Sequence, residues 1–216
     1  MKRMQGVIGA LLGLAVALAC QAAPTETNYC YNSDFTSSKG ALDGWNVDYD
    51  WTRNKQQMGN AKNASVLPEF KGRKNVLRIA VPSGFESKVE TPLIPYEAGD
   101  MYQCTFDIYV EKVVVNTLFQ GYNLKPGIPP GENTKLQDLR RMYKAEYVAT
   151  KGPMWKTVTV GIPHAQVSAT AYGHLKKIRY ITVLMYVPGA TYFEDGNFYI
   201  SNVRIAKLPG KVKVAQ

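Results

Sequence analysis

Histidine and cysteine are scarce in this 216-residue chain, two and three respectively. That scarcity removes most metal-site and disulfide-scaffold chemistry: no Cys and His set stands at ligand spacing, and no Ser, His and Asp succeed one another as a triad. His164 and His174 both fall in a connection rich in Pro, Ala and Gly, where a loop histidine is an ordinary polar residue. Close glutamate pairs of the kind a retaining glycosidase carries on a strand are also missing. Glu194 and Asp195 are adjacent, so in a strand they would point to opposite faces. No internal repeat, heptad or low-complexity tract occurs. Gly127 and Gly131 are too close together for a phosphate loop, and Pro129 and Pro130 have no N–H to offer a phosphate, so no nucleotide is expected.

An apolar stretch long enough to cross a bilayer is absent as well. The run from Val7 to Ala19, preceded by Lys2 and Arg3, has the length and the small-residue ending of a secretory signal. Residues 1–23 are therefore expected to be a signal peptide, with cleavage after Ala22 or, alternatively, before Cys20, which would then carry a lipid anchor. The chain is expected in a secreted, periplasmic or cell-envelope location in a bacterium, with residues 24–216 as one domain.

Acid is the minority charge, 17 Asp and Glu against 26 Lys and Arg, for a formal net charge of +9. The excess favours anionic partners such as acidic polysaccharide. The basic residues are scattered rather than blocked, so a nucleic-acid partner is not expected. Cys30 and Cys104 remain after processing and either pair, worth about 2–4 kcal/mol, or stay as free core thiols. Cys104 shares the parity of Tyr102, Phe106, Ile108 and Val110 and should point inward.

What the sequence has in abundance is strand signal. Alternating segments rich in Val, Ile, Tyr and Thr are cut at short intervals by Gly, Pro, Asn and Ser. They include GWNVDYDW at 44–51, NVLRIAV at 75–81, ESKVETPLI at 86–94, MYQCTFDIYV at 101–110 and VVVNTLFQGY at 113–122. YKAEYVAT at 143–150, WKTVTVGI at 155–162, IRYITVLMYV at 178–187 and NFYISNVRIAKL at 197–208 follow. About ten antiparallel strands in two sheets imply an all-β sandwich with little helix. One short helix is expected in NTKLQDLRRMY, where Leu136, Leu139 and Met142 repeat at three. Residues 124–135, LKPGIPPGENTK, should form a long surface loop between strands.

The order NSDF, GALDGW, SKVETPLIPYEAGDMYQCTFDIYV, MWKTVTVGIP and FYISNVRI resembles the carbohydrate-binding-module-like jelly rolls of the galactose-binding-like superfamily, as found attached to bacterial glycanases. The resemblance spans nearly all of the mature chain through short, mostly structural motifs. It implies packing roles for Trp45 and Trp155. It also implies a structural calcium held through Asp34 near the start, although Ser201 and Asn202 stand where the family tends to place aspartates. No other cofactor is expected.

Sugar recognition calls for flat aromatic rings and a few polar groups on a rigid surface. The candidates are Trp51 and Tyr49 on the first aromatic strip, Tyr186 and Tyr143 on later strands, and Arg140 and Arg179 for acidic groups. The function expected is non-catalytic binding of a polysaccharide or glycan. Two alternatives are an envelope or extracellular interaction protein with no sugar site, and a jelly-roll polysaccharide lyase or glycoside hydrolase.

Overall fold

A computed structural model describes residues 27–47, 63–84, 86–129, 131, 134–144, 147–162, 166–188 and 194–215. The fold is a jelly-roll-like β-sandwich, and the strand segments explain why. In β5 (Met101–Glu111), Tyr102, Cys104, Phe106, Ile108 and Val110 fall on one parity and all enter the main core. In β2 (Arg73–Val81), Leu77, Ile79 and Val81 do the same. The five-stranded sheet runs β1 (Ala64–Phe70), β2, β12 (Gly196–Leu208), β5, β9 (Lys156–Ile162). The facing sheet runs β3 (Ser87–Glu90), β11 (Tyr180–Val187), β6 (Val114–Leu124), β7 (Leu139–Lys144), with β4 (Ile94–Pro95) on β11 and β8 (Val148–Lys151) on β6. All these pairings are antiparallel. A separate two-residue ladder, β10 (Gln166–Val167) on β13 (Lys213–Val214), is parallel, unlike the sequence expectation.

The helix expected near residue 140 is not there. Leu136–Asp138 make a single 3-10 turn, and Leu139–Lys144 then continue as β7. The cause is non-local: Leu139, Arg140 and Arg141 find backbone partners on Leu124, Asn123 and Tyr122, which displaces the local hydrogen bonds a helix needs. The three-residue spacing of Leu136 and Leu139 is real, but it seats both side chains against a sheet. Among the described residues the one α-helix, α1 (Ala169–Leu175), lies in the connection that reads as loop, capped by the Ser168 hydroxyl accepting from the Ala171 N–H at 3.2 Å.

The segment 44–51 is described only to Val47, where Asn46 makes an isolated bridge to Glu90. Trp45 is buried, its ring 5.0 Å from that of Phe35 and its indole N–H donating to the Asn32 carbonyl at 3.0 Å, so its role is packing. β6 and β7 carry an irregularity between Gly121 and Tyr122 that leaves Met142 without a cross-strand partner. Leu139 and Arg141 face outward like their partners Leu124 and Tyr122, and the irregularity turns Tyr143 to the inner side, where it packs with Met142 on the main core.

Candidate functional site

The outer side of the sheet holding β3, β11, β6 and β7 differs from an ordinary solvent face. Cross-strand neighbours form rungs: Tyr180 beside Tyr122 beside Arg141, Thr182 beside Gln120 beside Lys144, Leu184 beside Leu118, and Tyr186 beside Asn116. Leu118, Tyr122 and Leu184 are buried here because the turn at Leu136 and the start of β7 at Leu139 fold back over them. The Lys125 N–H donating to the Asp138 carbonyl at 2.9 Å closes that fold-back.

Beneath this cover lies a polar cluster built from three strands. The Glu90 carboxylate, 1% exposed, accepts from the Tyr122 hydroxyl at 3.1 and 3.0 Å and from the Thr182 hydroxyl at 2.6 Å. Gln120 Oε1 faces the same phenol at 3.1 Å and accepts from the Arg141 guanidinium at 3.4 Å. Burial and the adjacent Glu90 charge hold the Tyr122 phenol far above its ordinary value, so it stays protonated and donates. A phenol held protonated this firmly is unsuited to act as a base.

Openings flank the cover. One, of about 330 Å³, lies between Gln120 and Tyr122 on β6, Arg140 and Arg141 on β7, and Leu136 and Gln137 in the turn. A second, of about 360 Å³, lies on the other side of the same turn, against Trp45, Asn46, Pro92 and Leu93. A third, of about 720 Å³, opens at the end of the sheet between Tyr29, Tyr96, Tyr102, Asn123, Arg179 and Tyr180. Its wall includes Asp100, a fully buried carboxylate bridged by Lys207 at 2.5 Å and by Lys211. Burial pushes the Asp100 carboxyl up, but the two lysines outweigh it and hold the group below its ordinary value. Burial raises the Tyr96 phenol to about 12.

The structure places the residues singled out from sequence as follows. Arg140 lines the cavity beside β7, and Arg179 lines the cavity at the sheet end. Tyr186 lies on the outer face, half-buried against the Leu118 and Leu184 cluster. Tyr143 packs its ring on the main core instead. Tyr49, Trp51 and Cys20 lie outside the described residues, as does the signal segment. Asp34 is exposed, its Oδ1 accepting from the Thr36 N–H at 3.3 Å, and Asn202 donates to Asp107 at 2.7 Å. Among the described residues no three His, Cys, Asp or Glu side chains are grouped to hold a metal, and no helix is long and apolar enough to cross a membrane. Cys30 and Cys104 are both free and buried in the main core, and desolvation pushes the Cys30 thiol up to about 12.

Sequence reasoning missed Glu90, Gln120, Tyr122, Thr182 and Arg141 as a group. Each is an alternating polar residue in a strand rich in apolar ones, and their convergence depends on sheet order. It also missed an aromatic group outside the five-stranded sheet, where Phe70 stacks on Tyr199 at 3.8 Å and the Arg73 guanidinium lies 4.8 Å from the Trp155 ring. The Trp155 indole N–H donates to the Lys71 carbonyl at 3.2 Å, so this tryptophan serves packing on that side.

No protein-family model and no curated protein matches the chain. Among solved structures it is similar to TmCBM61 in complex with beta-1,4-galactotriose, at 15% identity, TM-score 0.47, over 84% of this chain and 99% of that one. It is also similar to the enzymatically active domain of bacteriophage CBA120 tailspike protein 4, at 12% identity, TM-score 0.48, over 84% of this chain and 21% of that one. A third likeness is to a family 11 carbohydrate-binding module from Clostridium thermocellum, at 12% identity, TM-score 0.36, over 69% and 83% of the two chains. The likeness is one of overall architecture.

Proposed function

We propose that this protein is an exported carbohydrate-binding protein that holds a glycan on the outer side of the β3-β11-β6-β7 sheet without cleaving it. The observation that carries this reading is the Glu90, Thr182, Tyr122 and Gln120 cluster, which sits beneath openings bordered by tyrosines, leucines and amides. Apolar and aromatic surface takes the ring faces of a pyranose, and oriented polar groups take its hydroxyls. The Tyr122 hydroxyl donates its hydrogen bond to Glu90, so the buried cluster fixes the floor of these openings while the residues that line them meet the ligand. Export rests on the apolar run from Val7 to Ala19 behind Lys2 and Arg3.

Affinity electrophoresis against a panel of neutral and acidic polysaccharides tests the reading. Retardation by at least one polymer is expected, lost in Gln120→Ala with Tyr180→Ala while the circular dichroism spectrum is kept. Free migration of the native protein through every polymer would overturn it.

A further inference from the structure

We infer that the cavity beside β7 takes the carboxylate of a uronic acid unit, so that the glycan is a polyuronide or a uronate-bearing heteropolymer. The inference rests on the carbohydrate-binding reading and specifies its ligand. Three cations, Lys125, Arg140 and Arg141, border this opening, and among the described residues no carboxylate lines it. Among the described residues Arg140 makes no ion pair, and the Arg141 guanidinium meets only the neutral amide oxygen of Gln120, at a long 3.4 Å. Glu90 is reached through the Tyr122 hydroxyl, and its oxygens already accept from Tyr122 and Thr182.

Ordinary surface arginines point from a convex wall into water and need no explanation. These two border one concavity at the edge strand β7, beside the apolar Leu136 and Leu139. Planar guanidinium groups match a planar carboxylate through paired N–H donors. The volume of about 330 Å³ lies at the lower end of the range of small-molecule sites. That suits one charged pyranose held as a side unit or chain end. Lys125 already donates to the Gln137 carbonyl at 2.6 Å, so it contributes charge with its position fixed.

The experiment compares polygalacturonate, alginate and hyaluronan with their carboxyl-reduced forms as affinity-electrophoresis ligands for the full chain at fixed salt. Retardation by at least one acidic polymer and not by its reduced form is expected. Arg140→Gln with Arg141→Gln should weaken that binding about tenfold or more, as loss of charge-assisted bonds does. Lys74→Gln with Lys213→Gln removes the same charge from exposed positions elsewhere and should leave retardation unchanged. Equal loss in both double variants would make the effect general charge attraction and overturn the proposal. Retention on neutral polymers alone would overturn it too while leaving the carbohydrate-binding reading intact, whereas retention on nothing would remove both. A sulfated galactan retained as well as the uronates, still dependent on Arg140 and Arg141, would overturn the carboxylate assignment.

Discussion

The Tyr122 hydroxyl donates to the Glu90 carboxylate, 3.1 and 3.0 Å from its two oxygens, across two strands that do not adjoin in the sheet. β11 lies between β3 and β6, so this bond spans it and Thr182 on β11 completes the bridge from beneath. A buried carboxylate with hydroxyl donors from two other strands orders the floor of the outer face.

Tyr122→Phe removes the bridging hydroxyl and leaves Glu90 with one fewer donor in a site closed to water. Equilibrium urea unfolding should show a loss of about 1–3 kcal/mol. Glu90→Gln keeps the shape and an acceptor, and should cost less. An unchanged midpoint in Tyr122→Phe would mean the cluster contributes nothing to order.

Asp100→Asn weakens the clamp that holds Lys207 and Lys211 to the turn before β5. Hydrogen bonds to a charged group are worth about 1.5–3 kcal/mol, so a loss near the low end is expected at neutral pH given the exposed lysines. The sign follows from the lowered carboxyl: its contribution is present above about pH 4 and disappears as pH falls through the native-state value. Wild type and variant should therefore differ in urea midpoint at neutral pH and converge in strong acid. A difference that grows on acidification would contradict the assignment.

Gly196→Ala tests the close approach of β12 to the end of β5. An added Cβ would lie 2.6 Å from Val113 Cγ1 and 2.7 Å from the Glu111 carbonyl oxygen. Neither strand can retreat without loosening the ladder that starts at Asn197 and Glu111, so a cost of about 1–3 kcal/mol is expected. Gly131→Ala meets nothing within 4 Å and should leave the thermal midpoint unchanged.

Strand positions were legible because burial and alternation are local: β2, β5, β6, β9, β11 and β12 fall within a few residues of the apolar patterns that mark them. β1 was not, since Ala64–Phe70 has no fully buried residue and gives no period. The turn at Leu136 was misjudged for the opposite reason. Its helical spacing is satisfied by a sheet face, which no short window of sequence displays. Of the residues singled out for glycans, Arg140 and Arg179 line two separate cavities and Tyr186 lies on the outer face, whereas Tyr143 packs on the core because the unpaired Met142 shifts it to the inner side. Glu90 and Tyr122 were invisible because an acid and a phenol 32 positions apart become partners only through the order of strands.

The extra residue at Met142 makes length, not only chemistry, a determinant in β7. Excising one amino acid before Met142 would turn the guanidinium of position 141 inward and swing apolar neighbours out into solvent. Indels there should lower stability and the proposed glycan binding together, while point changes to Arg140 or Arg141 should separate the two.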